Sequence, residues 1–346
     1  SLATPTVYTA ALSCLRKQGI LLRDGRYLER LAKVSNIVFD KTGTLTEGKL
    51  QLNQLEVFAA ATKSQVLAIG AALEQGAHHP VATAFVSQII SANATVSLDE
   101  PAQFITGGGV TGIINGQHYI LGSSSLVAAN TGISTQALTA QADTLSVYLA
   151  NNNGGDWQLM AKFSFTDTIR PEAGVSLRQL RSLGLAPAMF SGDNSNAVKA
   201  VASSLAINDF NGGMNAQQKL SAINTLQQQQ KVVLSVGDGL NDLPFLGGAD
   251  VSVAVENASD LTLQNANINL LHSDLRLLPT LIQTARLAMR RLRQNLVWAL
   301  LYNSIMIPLA MAGFIAPWLA ALGMSFSSLV VVINARRLHV KEFNNA

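Results

Sequence analysis

The spacing of apolar and polar positions predicts alternating strands and helices over much of the chain. Short apolar runs typical of buried strands occur at residues 37–39, 185–190 and 232–237. Helical periodicity fills the space between the last two runs, at residues 196–205 and 216–230. Because such alternation is typical of a parallel sheet with helices on both faces, we predict an α/β fold.

A different pattern separates the first strand from the others. Helical periodicity at residues 63–73 and 81–90 is followed by short alternating strands, with turn signals at Asn115-Gly116 and at residues 151–155. We therefore predict an inserted α+β domain at residues 49–163. It divides the parallel-sheet domain into two parts, which are residues 21–48 and 164–280.

Two adjacent apolar runs lie near the end of the chain, from Gln294 to Ile315 and from Pro317 to Asn334. Each has about the 20 residues that a helix needs to cross a hydrocarbon core. The basic residues that flank them are Arg290, Arg291, Arg293, Arg336, Arg337 and Lys341. The positive-inside rule therefore predicts a transmembrane hairpin at residues 294–335 with a cytoplasmic tail at 336–346. A buried helical hairpin of a soluble protein is the alternative.

Composition narrows the class of protein. The chain is 13% charged and 48% hydrophobic, with a net charge of +3, and its mean hydropathy is +0.26. Its basic residues form no stripe with interleaved aromatics, which argues against nucleic acid as a partner. The single cysteine, Cys14, excludes an internal disulfide and a CxxC metal site. No signal peptide is visible at the first residues, and we expect residues 1–20 to be the end of a transmembrane helix in a longer protein.

Polar clusters follow each of the three apolar strands. Asp40 follows the first strand, Ser191-Gly192-Asp193 the second, and Asp238 the third. Because the carboxyl ends of parallel strands meet at one edge of a sheet, we expect these clusters to converge. Asp40 is the candidate nucleophile, since a carboxylate that attacks a phosphoryl group forms an acyl phosphate.

Phosphoryl transfer also needs positive charge around the transferred oxygens. Lys219 can supply part of it, and Mg²⁺ held by Asp40 and Asp238 can supply the rest. Ser191 offers a hydroxyl to a phosphate oxygen, and the backbone at Thr42-Gly43 can form an anion nest. For any one of these acids taken alone, a helix cap or turn residue is the alternative.

The motif DKTGTLT, which begins at Asp40, and the later motif GDGLND together resemble the phosphorylation domain of P-type ATPases. That domain has a haloacid-dehalogenase-like fold. The resemblance implies that Asp40 is phosphorylated, that Thr42 contacts both Mg²⁺ and phosphate, and that Lys219 contacts the phosphoryl group. It also implies that Asp238 binds Mg²⁺. The other residues that match family motifs are Asp167, Arg170, Ser191 (usually Thr), Gly192, Asp193, Asn241 and Asp242.

The inserted domain carries a second resemblance. Glu74 and His79, within ALEQGAHHP, resemble the nucleotide-domain motif of heavy-metal P-type ATPases, although His78 replaces an acid there. The family pattern implies that these two residues, with Gly107 and Gly109, bind ATP. Residues 107–112 also satisfy GxGxxG, but they lead into a hairpin with an Asn-Gly turn, so we reject a Rossmann fingerprint. A helix cap is the alternative role for a histidine before proline.

The two apolar runs carry candidate ligands for a transported ion. Tyr302 and Asn303 lie in the first, while Met324, Ser327 and Ser328 share one helical face in the second. Helix packing alone accounts for such residues. They also resemble the last two helices of copper-transporting P-type ATPases, in which a thioether favours Cu(I). That resemblance implies a transport site at Tyr302, Asn303, Met324 and Ser328.

The predicted function is ATP-driven export of a soft metal ion, Cu(I), across a bacterial inner or plasma membrane through an aspartyl phosphate. Ag⁺ and divalent ions remain alternatives, and the ending SSLVVVINARRL is most similar to the subgroup that serves cytochrome oxidase assembly. The Cys-Pro-Cys and Thr-Gly-Glu motifs of a full pump are absent from this sequence, so we expect the actuator domain and other helices as partners. A membrane-anchored phosphatase and a non-transporting ATP-binding remnant are the competing interpretations.

Overall fold

The computed structural model describes residues 3–77, 81–85, 96–105, 109–134, 138, 145–193, 195–238, 243–255, 260–314 and 316–337. The chain divides into two units. The first contains Ser1–Leu45, Arg170–Asp193 and Ala202–Ala346, and the second contains Thr46–Ile169 and Asn194–Val201. The predicted inserted domain lies within the second unit.

Strands and helices alternate in the first unit, as the sequence predicts. Of the predicted helix at residues 81–90, residues 86–90 lie outside the described part of the chain. In chain order, the strands are β1 (Ile20–Leu22), β2 (Asn36–Phe39), β3 (Thr46–Val57), β4 (Gln103–Ile105), β5 (Gly109–Ile114), β6 (Gln117–Gly122), β7 (Leu145–Asn153), β8 (Asp156–Ile169), β9 (Ala186–Phe190), β10 (Asp209–Asn211), β11 (Val233–Gly237), β12 (Val251–Ala254) and β13 (Ile268–Leu270). The helices are α1 (Ala3–Lys17), α2 (Tyr27–Lys33), α3 (Lys63–Leu73), α4 (Ser124–Thr131), α5 (Ala173–Ser182), α6 (Ser195–Ser204), α7 (Ala216–Gln228), α8 (Leu243–Gly248), α9 (Asp260–Asn265), α10 (Leu277–Met311) and α11 (Pro317–Arg336).

The first unit is built on a seven-stranded sheet in the order β1-β13-β12-β11-β2-β9-β10. All neighbours run parallel except β1, which pairs antiparallel with β13. Strand β2 lies between β11 and β9, with Phe39 opposite Val236 on one side and Met189 on the other. Since the chain continues directly from Phe39 to Asp40, this carboxylate lies at the centre of the sheet's carboxyl edge.

Helices α7 and α8 contribute to the hydrophobic core beside these central strands. Ile223 of α7 and Phe245 of α8 belong to the same buried cluster as Val38 of β2 and Val233 of β11. All four side chains are fully buried. The α/β prediction is confirmed for this unit.

The second unit contains a six-stranded antiparallel sheet in the order β3-β8-β7-β6-β5-β4. Strands β5 and β6 are joined by Asn115 and Gly116, both at positive φ (51° and 73°), the geometry that an Asn-Gly hairpin turn predicts. Phe85 packs edge-on against Phe163 and Phe165, with ring centroids 4.8 and 5.3 Å away. This aromatic group forms the centre of the core on one face of the sheet.

Helices α10 and α11 replace the predicted transmembrane hairpin. In the described part of the chain, no helix combines the length and apolarity needed to cross a membrane, so the predicted spans at residues 1–20 and 294–335 are not found. Helix α10 begins at Leu277, far before the apolar run, and that run contains the polar residues Asn295 and Asn303. Asn295 is buried, and its side-chain oxygen accepts a hydrogen bond from Asn334 Nδ2 at 2.7 Å. The two helices are therefore joined by polar contacts as well as apolar ones.

Candidate functional site

Asp40 is held at the end of β2 by its backbone and by a lysine. Its backbone N–H donates to Val236 O at 2.9 Å, and its buried carboxylate accepts a hydrogen bond from Lys219 Nζ at 2.5 Å. Lys219 is also buried, and its ammonium lies 5.7 Å from the centre of the Phe245 ring. The pair is a buried ion pair in which the lysine offsets the charge of the carboxylate.

The first turn of α7 positions Lys219. Asn215 caps this helix by accepting from Gln218 N at 2.9 Å, and the Gln218 side chain accepts from Asn215 N at 2.8 Å. This reciprocal capping box satisfies two of the backbone donors that a helix start leaves unpaired. It fixes the start of the helix at Ala216, three residues before Lys219.

The loop after Asp40, Lys41–Leu45, leaves regular geometry at Thr42 and Gly43. Gly43 has φ of 71°, which L residues with a side chain rarely adopt. A Cβ placed on Gly43 would also overlap the carboxylate of Asp238. Glycine is thus required here on two grounds, and its absence of a side chain lets the Asp238 carboxylate lie against the loop.

Arg170 anchors the backbone of the same loop through hydrogen bonds. This buried guanidinium donates to Gly43 O at 2.8 Å and to Thr44 O at 2.9 Å, and its third contact is Ser273 O at 3.3 Å. Asp167, from the same sequence motif, accepts from the Thr46 hydroxyl at 2.5 Å. The motif therefore has a visible structural role, which is to fix the backbone around the candidate nucleophile.

The cluster after β9 lies beside the loop. Asp193 accepts from the Thr42 hydroxyl at 3.4 Å, forms an ion pair with Lys41, and donates its backbone N–H to Ser191 Oγ at 3.1 Å. Sequence analysis missed Lys41, although it lies inside the DKTGTLT motif. The Lys41 side chain is buried, and the charge that it is seen to compensate is that of Asp193.

One cavity of about 550 Å³ brings most of the predicted catalytic residues together. Its lining residues are Asp40, Thr42, Ser191, Gly192, Asp193, Met214, Asn215, Ala216, Lys219 and Asp238. The predicted residues Asn241 and Asp242 lie outside the described part of the chain. The three strand ends therefore share one cavity, as the sheet topology predicts.

The donor set of this cavity suits Mg²⁺. The carboxylates of Asp40 and Asp238 line the same space, and hard oxygen ligands are what this ion prefers. No group of three or more His, Cys, Asp or Glu side chains that could hold a metal occurs among the described residues. Two carboxylates are enough, since Mg²⁺ commonly takes its remaining ligands from water and substrate phosphates.

A second cavity, of about 330 Å³, lies in the antiparallel unit and includes two of the predicted nucleotide residues. Glu74 is buried there, and Gly109 and the exposed Phe104 also line the cavity. A Cβ on Gly109 would come within 2.8 Å of Leu121 O, so close strand packing also requires glycine. The predicted residues His79 and Gly107 lie outside the described residues.

The four predicted transport residues lie on α10 and α11. Tyr302 is partly buried, and its hydroxyl occupies the space that a Cβ on Gly323 would fill. That hydroxyl has no hydrogen-bond partner among the residues the structure describes. Asn303, Met324 and Ser328 are exposed.

Comparisons with known proteins agree with this geometry. The family model of haloacid dehalogenase-like hydrolases matches residues 34–250. The copper-exporting P-type ATPase of Bacillus subtilis (strain 168) is 34% identical over 97% of this chain, and that of Staphylococcus aureus (strain JH9) is 33% identical over the same share. In each case the chain spans 42% of the relative's length.

Solved structures give the same result. A zinc-transporting PIB-type ATPase in the E2.Pi state matches with a TM-score of 0.84 and 30% identity, over 97% of this chain and 55% of that one. The catalytic domain of the CPx-ATPase CopB-B matches with a TM-score of 0.64 and 28% identity, over 78% of this chain and 98% of that one.

The chain therefore belongs to the haloacid dehalogenase-like hydrolases. The more particular prediction, the catalytic portion of a heavy-metal P-type ATPase, is also confirmed by the relatives and solved structures. The subgroup that serves cytochrome oxidase assembly stays a prediction.

Proposed function

We propose that this chain is the part of a metal-exporting pump that takes a phosphoryl group from ATP onto Asp40. The observation that carries the proposal is the buried pair of Asp40 and Lys219 at the carboxyl edge of the parallel sheet, in one cavity with Asp238. The fold alone would also suit a phosphatase, but the names of the relatives favour an ATPase.

In the proposed reaction, a carboxylate oxygen of Asp40 attacks the γ-phosphorus of ATP. The new bond joins that oxygen to phosphorus, while the bond from phosphorus to the bridging oxygen breaks and ADP leaves with its electron pair. Lys219, paired with Asp40, places positive charge where negative charge gathers in the transition state. Ser191 can donate its hydroxyl to a phosphoryl oxygen.

Asp40, Asp238 and the carbonyl of Thr42 are the residues that would hold Mg²⁺, which neutralises charge on the phosphoryl oxygens. Gly43 leaves room for the Asp238 carboxylate, and Arg170 keeps the loop backbone in place. These residues preorganise the site, so that little rearrangement is needed when ATP arrives.

The other assignments extend this proposal to the rest of the chain. Glu74, His79, Gly107 and Gly109 would bind the nucleotide in the antiparallel unit. The transported ion would be Cu(I), with Tyr302, Asn303, Met324 and Ser328 as its ligands in a membrane-embedded assembly. The partners would be the lipid bilayer and the remaining domains of the pump, with the catalytic units on the cytoplasmic side.

Labelling with γ-³²P ATP and Mg²⁺ tests the proposal. We expect an acid-stable, hydroxylamine-sensitive phosphoprotein from the wild type and none from Asp40→Asn. Asp209→Asn, which alters an exposed carboxylate at the start of β10, is the matched control and should label normally. Equal labelling of wild type and Asp40→Asn would overturn the proposal. ATP binding without a phosphoprotein would favour the non-transporting remnant, and hydrolysis of small phosphomonoesters would favour the phosphatase.

A further inference from the structure

We propose that a groove beside α2 and the middle of α10 binds one anionic phospholipid. The groove has a volume of about 860 Å³ and changes character along its length, from basic to apolar. The inference rests on the membrane location proposed above, but it concerns a site that plays no part in phosphoryl transfer.

The basic end contains four cations. Arg286 is already engaged, since its guanidinium donates to Leu183 O at 2.6 Å and to Val34 O at 3.4 Å. Lys33, Arg290 and Arg293 are exposed, and no salt bridge to them is found in the described part of the chain. These three side chains can converge on a phosphate group.

One carboxylate, that of Glu29, lies among the lining residues. It accepts a hydrogen bond from the hydroxyl of Tyr8, a contact that directs it toward α1. The groove therefore keeps a clear excess of positive charge at this end, which is complementary to an anion.

The apolar end begins immediately afterwards on α10. Leu296, Val297 and Leu301 are 41%, 55% and 56% exposed, and they line the groove with Trp298. The Trp298 indole N–H donates to Ser327 Oγ at 3.2 Å, which fixes the ring in place. At 1.5 Å per residue, Arg293 and Leu301 are about 12 Å apart along the helix, close to the roughly 15 Å of one lipid leaflet's acyl region.

A phospholipid with an anionic headgroup satisfies both ends of the groove at once. Inorganic phosphate would use the basic end only and leave the leucines and valine in water. An apolar peptide would leave three cations without partners. The order along α10, first cations and then apolar side chains, is also the order of headgroup and acyl chain.

Fluorescence of Trp298 gives a direct test in the full-length chain. Trp157→Phe and Trp318→Phe leave Trp298 as the sole tryptophan of the three. In micelles of an uncharged detergent, we expect phosphatidylglycerol with brominated acyl chains to quench the fluorescence of Trp298. It should do so at a much lower concentration than phosphatidylcholine with the same chains. Glycerol phosphate without acyl chains should not prevent the quenching.

Two pairs of substitutions separate a groove from general attraction to charge. Arg290→Gln with Arg293→Gln should weaken the phosphatidylglycerol effect about thirtyfold. Arg336→Gln with Arg337→Gln removes the same charge at the exposed end of α11, outside the groove, and should change it less than about threefold. Circular dichroism of each variant checks that it is folded.

Several results would overturn the inference. If both pairs of substitutions weakened the phosphatidylglycerol effect equally, the attraction would be unspecific. If both lipids quenched Trp298 fluorescence equally, the surface would be apolar but unselective. If neither lipid quenched it, another part of the protein would cover the groove. Labelling of Asp40 by ATP is measured in parallel without added lipid. Normal labelling together with failed lipid selectivity would reject this site alone, whereas lost labelling in the wild type would reject the proposed function.

Discussion

The two units of this molecule bury polar groups in different ways. At the carboxyl edge of the parallel sheet, Asp40 and Lys219 are buried and paired with each other. Lys41 is buried and pairs with Asp193, and the buried Arg170 donates to backbone carbonyls. In the antiparallel unit, Glu74 is the buried acid of a cavity whose other lining residues are mostly apolar. Charged groups are therefore concentrated at the sheet edge of the first unit, whereas the cavity of the second unit is mostly apolar.

Sheet geometry explains why the charges collect where they do. Strands β2, β9 and β11 run in the same direction, so the residues that follow them, Asp40, Ser191 and Asp238, emerge at one edge. In an antiparallel sheet, successive strands end at opposite edges, so no comparable set of strand ends arises. The cavity of the second unit is instead lined mostly by apolar residues of the strands β4 to β7.

The largest expected stability effect lies in the antiparallel unit. Phe85→Ala removes a buried ring that contacts Phe163 and Phe165, and it should cost about 4 kcal/mol of unfolding free energy. Phe58→Ala, at a side chain that is 51% exposed, is the control and should cost less than about 1 kcal/mol. Urea unfolding of both variants measures this, and similar losses would show that the aromatic cluster is not the core.

A somewhat smaller effect is expected at the charged edge. Lys219→Met leaves the buried carboxylate of Asp40 without its lysine, at a cost of about 3 kcal/mol. Adding Asp40→Asn to that variant should restore part of the loss, because the uncompensated charge is removed. Lys231→Met, at an exposed lysine, is the control. Additive losses in the double-mutant cycle would contradict the coupling of the pair.

Two glycines with similar backbone geometry test why the loop after Asp40 needs glycine at position 43. Gly43→Ala and Gly184→Ala both place a side chain at positive φ, 71° and 77°, which should cost each about 1 kcal/mol. A Cβ at Gly184 meets open space, whereas one at Gly43 overlaps Asp238. We therefore expect phosphorylation to be lost in Gly43→Ala and kept in Gly184→Ala. Equal phosphorylation would show that Asp238 need not lie against the loop.

The smallest effect concerns a charge outside both cavities. Burial opposes ionisation of Asp274, but hydrogen bonds and charge from Arg276 outweigh it and lower the pKa of Asp274 from 3.8. Because the pKa of Asp274 is lower in the folded protein than in the unfolded chain, ionised Asp274 stabilises the fold at pH values above the unfolded-state pKa. This contribution is lost as the pH falls through the folded-state pKa. Asp274→Asn should cost a few tenths of a kcal/mol at pH 7. Thermal unfolding as a function of pH measures this difference, which should vanish in acid; a constant difference would contradict the assignment.

The sequence predicts the parts of the site that depend on strand direction. An apolar run followed by a polar cluster is a local pattern, and three such runs in a parallel sheet must end together, so Asp40, Ser191 and Asp238 could be grouped in advance. The contacts of Lys41 with Asp193 and of Arg170 with the loop could not, because they join segments more than a hundred residues apart with no local signal.

Helices α10 and α11 could be predicted from the sequence only in part. Hydrophobic runs predicted the two helices, but they did not predict that α10 starts at Leu277 or that Asn295 and Asn334 join it to α11. Run length counts apolar positions without weighing the polar residues among them.

Reduction of the acyl phosphate with borohydride identifies the phosphorylated residue, because it marks the side chain that carried the phosphoryl group. After incubation with ATP and Mg²⁺, reduction should convert the phosphorylated aspartate to homoserine, and peptide mass spectrometry would locate it. We expect homoserine at position 40 in the wild type. Homoserine at Asp193 or Asp238, or at no aspartate in a labelled protein, would contradict it.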